Sequence, residues 1–215
     1  MKLFVWDFHG VLEKDNHLAV FEISNDALAK NGYKERLSKK DNVKFVGLKW
    51  YEYFERILPG SSKDEHMTLQ ATCFKLSEEN RDITAKYVKP NDYAEEVLKT
   101  IKEAGHDQIL LSNTRSNDIL WYVKTVNLEK YFPESKIFGV NAHQRHGNKK
   151  EALKEYISGK DFDSLVIIGD SKSDMDLKCV AGGTTYFYNH PHILSYKIAE
   201  ADYIISDLRK VLKEL

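Results

Sequence analysis

Two hydrophobic rhythms alternate along the chain. Short, uninterrupted apolar runs followed by turn-forming residues stand at 3–6, 108–111, 136–140, 165–168 and 184–188, with a shorter run at 203–205. Runs of this length without polar alternation predict strands buried on both faces, as in a parallel sheet. Between them, apolar residues recur at helical spacing. Val97, Leu98, Ile101 and Ala104 share one helix face, with Asn91 or Asp92 placed to cap it and Gly105 placed to end it. Segments 119–126, 149–157, 174–181 and 208–215 read as helices too, the last capped by Ser206 or Asp207. The alternation predicts an α/β fold built on a doubly wound parallel sheet.

Residues 13–89 break this rhythm. They carry no convincing buried strand, and 23–30, 48–58, 65–76 and 83–88 read as helices, with a turn cluster at Pro59-Gly60-Ser61-Ser62. Lys89-Pro90-Asn91-Asp92 marks the return to strand–helix alternation. The expected organisation is an α/β domain formed by 1–12 and 90–215, with a helical insertion at 13–89. Of Phe45, Trp50, Tyr51, Tyr53 and Phe54, most are expected to lie in the insertion's core, with one or two rings placed to face the active site and set specificity.

Composition narrows the partners. With 32 Lys+Arg against 33 Asp+Glu, the formal net charge is −1, so no broad basic field exists to draw nucleic acid. No apolar run approaches the ~20 residues that span a membrane, and no secretory signal precedes the first strand. Two cysteines, Cys73 and Cys179, make no disulfide framework. A soluble cytoplasmic protein acting on a small molecule is the expectation.

The candidate chemistry gathers where strands end. Asp7 and His9 follow the first strand, Ser112 and Asn113 the second, and Asp170, Ser171 and Asp174 a later one, while Lys149 and Lys150 open the helix before it. Ligands of open parallel sheets sit beyond the carboxyl ends of the strands. A strand-tip aspartate such as Asp7 is a candidate nucleophile, since a carboxylate can form an acyl phosphate. Asp7 and Asp170 offer the hard oxygens that Mg²⁺ prefers, with Asp174 as a direct or water-mediated third. Ser112, backbone N–H groups around Asn113, and a lysine ammonium suit phosphate oxygens. Arg115 and Lys172 read as solvated charge near these motifs, and His143, His146, His190 and His192 as loop histidines rather than a zinc set.

Asp7-Phe8-His9-Gly10-Val11, Leu110-Leu111-Ser112-Asn113, Gly147-Asn148-Lys149-Lys150 and Gly169-Asp170-Ser171-Lys172-Ser173-Asp174 together resemble, in order, the four motifs of the haloacid-dehalogenase superfamily. The resemblance implies a Rossmann-like core, a helical cap in the insertion, and a Mg²⁺-dependent phosphatase working through an aspartyl phosphate on a small phosphorylated metabolite. Carried over residue by residue, it implies Asp7 and His9 as catalytic groups and Ser112, Asn113 and Lys149 as phosphate contacts, with Lys149 favoured over Lys150. It also implies metal binding by Asp7, Asp170, Asp174 and the backbone carbonyl of His9. The departure is His9, because the superfamily's phosphatases carry aspartate there as acid and base. Imidazole exchanges protons near neutral pH, so a substitute acid/base is the expectation. Alternatives in the same superfamily are carbon–halogen or carbon–phosphorus cleavage, or a degenerate member that binds without turnover.

Overall fold

The structure, a computed structural model, describes residues 1–46, 48–140, 148–190 and 200–215. The chain divides into two compact units, Met1–Lys14 with Lys89–Leu215, and Asp15–Val88.

The first unit is built on a six-stranded sheet. In chain order its strands are β1 (Leu3–Trp6), β4 (Asp107–Ser112), β5 (Ile137–Gly139), β6 (Leu165–Gly169), β7 (Thr184–Tyr188) and β8 (Tyr203–Ile205), after numbering the short β2 (Glu13–Lys14) and β3 (Lys89–Pro90). The order across the sheet is β5-β4-β1-β6-β7-β8, and every neighbouring pair is parallel. The doubly wound α/β fold is therefore as expected. β1 is central and fully buried, which explains why all four of its residues are apolar. Its neighbours belong to later parts of the chain that run off in opposite directions, so the switch point in strand order lies at its carboxyl end.

Both faces are covered. Leu3, Val5, Ile109, Leu111, Leu165 and Ile167 pack with Ala152, Leu153 and Tyr156 of α8 (Lys149–Ile157). The alternate residues point the other way, as strand geometry requires. There Trp6 Nε1 donates to Gln108 Oε1 at 3.1 Å, and Gln108 Nε2 donates to the Leu98 carbonyl of α6 (Ala94–Glu103) at 2.9 Å. The buried glutamine thus has partners for both ends of its amide, which offsets the cost of placing it there.

Several local expectations are corrected. The N-cap of α6 is Tyr93, at φ 63°, rather than Asn91 or Asp92. Asn91 is buried and turned inward: its Nδ2 donates to the Val11 carbonyl at 2.7 Å and its Oδ1 accepts from Asp92 N at 2.8 Å. The single helix expected at 174–181 is two short ones, α9 (Lys172–Met175) and α10 (Lys178–Ala181). The terminal helix is a 3₁₀ segment, Leu208–Glu214, capped by Asp207 as expected. β2 and β3, too short to show any periodicity, pair antiparallel.

The second unit holds α1 (Asn16–Lys30), α2 (Lys39–Phe45), α3 (Trp50–Ile57), α4 (Lys63–Glu79) and α5 (Arg81–Tyr87). Ile23, Ala27, Leu28, Phe54, Leu58, Leu69, Cys73 and Leu76 form its core. Ser62 and Glu65 close α4 with a reciprocal capping box. Phe45 meets Tyr53, and Trp50 meets Phe74, both edge to face. Among the described residues, no helix is long and apolar enough to cross a membrane.

Candidate active site

The chain leaves β1 at Asp7, whose backbone N–H is still held by the Ile168 carbonyl of β6 at 2.9 Å. It then turns sharply. The N–H groups of Val11, Leu12 and Glu13 all approach the Phe8 carbonyl, and Gly10 takes φ +78° to allow it. Gly10 has a second reason to lack a side chain: a Cβ there would lie 2.3 Å from Asp170 Oδ2. At the end of β6, a Cβ on Gly169 would collide with the side chain of Asp174. These two glycines let Asp170 and Asp174 approach the strand tips.

The result is a cluster of carboxylates around one ammonium. Oxygens of Asp7, Asp170 and Asp174 lie within 4.8 Å of one another. Lys149, at the start of α8 and only 4% exposed, donates from Nζ to Asp7 Oδ1 and to Asp174 Oδ1, each at 2.6 Å. Asn148 caps that helix by accepting from Glu151 N, which fixes where the lysine emerges. Asp174 uses its other oxygen to accept from Ser171 N at 3.1 Å and from the Ser171 hydroxyl. Both oxygens of Asp174 are thus engaged, and Lys149 is gripped from behind.

Electrostatics sets the cluster apart. Burial pushes Asp7 up to about 6, against the pull of Lys149 and with a further push from Asp174. Asp170 is raised well above the usual carboxylate range by burial, and then by Asp7 and Asp174. Among the described residues it has no cation within ion-pair distance. Burial lowers Lys149, but Asp174 and Asp7 outweigh that and hold it above its ordinary value. Three crowded oxygen donors with too little positive charge suit a hard divalent cation such as Mg²⁺.

His9 follows within the same turn. Its Nδ1 lies 2.8 Å from Glu13 Oε1, and its ring stands at 90° to Tyr122, 4.7 Å away. Glu13 is 1% exposed and has no counterpart among the residues singled out from sequence.

The sequence model of the haloacid dehalogenase-like hydrolase family matches residues 4–183, a span that contains every one of these groups. The chain belongs to that family. No curated protein matches this hydrolase. Among solved structures it resembles a predicted phosphoglycolate phosphatase from Haemophilus somnus (17% identity, TM-score 0.78, covering 100% of this chain and 97% of that one). It also resembles a haloacid dehalogenase-like hydrolase from Streptococcus pneumoniae (15% identity, TM-score 0.75, 99% and 97%). A third is a HAD-superfamily hydrolase of subfamily IA from Geobacter sulfurreducens (18% identity, TM-score 0.71, 100% of each chain). At these identities the likeness establishes the fold.

Within this hydrolase the remaining expected residues are placed as follows. Ser112 ends β4 beside β1, is 1% exposed, and accepts from Thr114 N at 3.2 Å through Oγ. Asn113 is exposed at the turn that follows. Lys149, not Lys150, reaches the carboxylates; Lys150 is partly exposed. Arg115 pairs with Asp118, and Lys172 with Asp176. His190 is buried beside Tyr188, whereas His143, His146, His192 and Gly147 lie outside the described residues.

Proposed function

We propose that this hydrolase is a Mg²⁺-dependent phosphomonoesterase acting on a small phosphorylated metabolite. The observation that carries the reading is the lysine ammonium seated 2.6 Å from the strand-tip Asp7, within a cluster of three carboxylates. Asp7 attacks phosphorus, the bond from phosphorus to the leaving oxygen breaks, and His9 delivers a proton to that oxygen. His9 then takes a proton from water as the water attacks the aspartyl phosphate, releasing phosphate and restoring Asp7. Lys149, Ser112 and backbone N–H groups near Asn113 hold the phosphoryl oxygens.

Asp7, Asp170 and the His9 carbonyl would hold Mg²⁺, with Asp174 supporting them from behind Lys149. When bound, the ion supplies positive charge that eases the approach of one anion to another. Such charge would also keep Asp7 ionised against the burial that raises it. The helical unit Asp15–Val88 serves in this reading as the cap that selects the leaving group.

A panel of phosphorylated metabolites, assayed with Mg²⁺ and with chelator, tests the proposal. The expected result is phosphate release that needs Mg²⁺ and falls on the order of 10⁴-fold in Asp7→Asn. Absence of hydrolysis across the panel, in a protein that still binds fluoroberyllate with Mg²⁺, would instead favour a phosphate-binding member without turnover.

A further inference from the structure

Glu13 is the side chain in this unit whose burial the reaction so far leaves unexplained. It is 1% exposed, and its Oε2 has no hydrogen-bond partner among the described residues. Its Oε1 meets only His9 Nδ1, at 2.8 Å, and the Gly10 N–H, at 3.3 Å. A buried carboxylate with one oxygen orphaned is a poor way to gain stability, since desolvation offsets what a single partner returns. An apolar side chain of similar size would fit the same place at no such cost. The carboxylate therefore calls for a role, and the one group it touches with a side-chain hydrogen bond is the residue that departs from the superfamily's motif.

The local fold makes this contact deliberate. Glu13 and His9 are four apart in sequence but not on a helix. The turn closed on the Phe8 carbonyl brings them together, and the backbones of His9 and Glu13 form a bridge. The pairing of Glu13 with Pro90 then anchors that return. Tyr122, edge to face with the imidazole, limits its rotation from the other side.

We propose that Glu13 is a positioning residue for His9: by accepting the Nδ1 proton it fixes the ring's tautomer and orientation and leaves Nε2 as the nitrogen that exchanges protons with the substrate. An ionised carboxylate can only accept, so in this pairing Nδ1 carries the hydrogen it donates. Nε2 is hydrogen-bonded to nothing among the described residues. The same logic, an acid group or carbonyl holding one imidazole nitrogen so that the other can work, is common where histidine acts. The inference rests on the acid/base role of His9 proposed above.

The test reads the ring directly. Long-range ¹H–¹⁵N spectra of the intact protein, with and without Mg²⁺, should show His9 protonated at Nδ1. Glu13→Leu should abolish that signature, and Glu13→Gln, whose amide oxygen can still accept, should retain it. In the phosphatase assay Glu13→Leu should lower kcat about 10–100-fold with KM within about twofold, and Glu13→Gln should recover most of the loss. A His9 spectrum that is the same in wild type and Glu13→Leu, or protonation at Nε2 in the wild type, overturns the inference. If no variant, wild type included, hydrolyses any ester, the spectra still decide the positioning role while the phosphatase reading fails by itself.

Discussion

Two aspartates of the same sheet, Asp7 and Asp202, live in opposite electrostatic worlds. Asp202, just before β8, accepts from Lys178 Nζ through both oxygens and from the backbone and hydroxyl of Thr185, each at 2.7 or 2.8 Å. Lys178 first, and then the Thr185 donors, bring its carboxyl down to about 2. Asp7 also meets a lysine, yet it is pushed up, because burial and a neighbouring carboxylate outweigh that lysine. The difference is not the presence of a cation but the supply of donors relative to the number of anions. Where donors exceed anions, the carboxylate holds the fold together. Where anions exceed donors, the fold is under tension, which a bound cation would relieve. At the second kind of place, relief of the tension should trade stability against function.

The largest effect on stability should come from the one cation of the crowded cluster. Lys149→Met leaves Asp7 and Asp174 buried without their shared partner, a loss of about 3 kcal/mol at neutral pH by analogy with other broken buried pairs. The sign with pH follows. With the lysine gone, Asp7 loses the cation that opposes its burial, so its folded-state pKa stands above its unfolded one. Its cost is therefore full at high pH and fades as pH falls and it takes up a proton. Urea unfolding at pH 7.5 and pH 5 should show the deficit shrinking. An equal deficit at both would mean that Lys149 contributes packing rather than charge.

Asp170 should behave in the opposite way. Burial first, then Asp7 and Asp174, raise it, and among the described residues no cation pairs with it, so its ionised form costs stability when no metal is present. Asp170→Asn should stabilise the metal-free protein at neutral pH by on the order of 1 kcal/mol. The gain should vanish in acid, where the wild-type carboxyl is protonated as well. Mg²⁺ should raise the Tm of the wild type, and the same change should abolish that rise. Stabilisation by Mg²⁺ that survives in Asp170→Asn would place the ion elsewhere.

How far this contrast could be read from sequence differs sharply between its parts. Strands β1, β7 and β8 stand at the residues their apolar runs predict: β1, buried throughout, leaves no polar positions to blur its ends, and the edge strand β8 stays apolar even though Tyr203 and Ile204 are exposed. Asp7, Asp170, Asp174 and Lys149 were legible as strand-end and helix-start residues, and the parallel register brings them together. Helix α2 was not legible: Lys39–Phe45 is seven residues long and mostly polar, so no apolar face declares it. The Asn91 cap failed because its Oδ1 accepts from Asp92 N and the Tyr188 hydroxyl while its Nδ2 is tied to the Val11 carbonyl. Glu13 was the deepest omission. A glutamate four residues after a histidine reads as solvated charge, and only the turn at Gly10 reveals that both face one another.

The smallest effect belongs to the satisfied aspartate, and it sharpens the comparison because its sign with pH is reversed relative to Asp170. Asp202 is more than one-third exposed at its side chain, so water and salt screen its pair with Lys178 and only about 1 kcal/mol or less is at stake in Asp202→Ala. Its folded-state pKa lies below the unfolded value, so its contribution is whole above about pH 4 and is lost as pH falls through about 2. Wild type should therefore exceed Asp202→Ala by a steady margin at pH 5–8, and the two stability curves should converge in acid. Turnover should not respond, since no group of the carboxylate cluster hydrogen-bonds to Asp202. A margin that persists at pH 2 would show that the Thr185 contacts act through shape rather than charge, and the rule drawn from donors and anions would then hold only for the crowded end of the sheet.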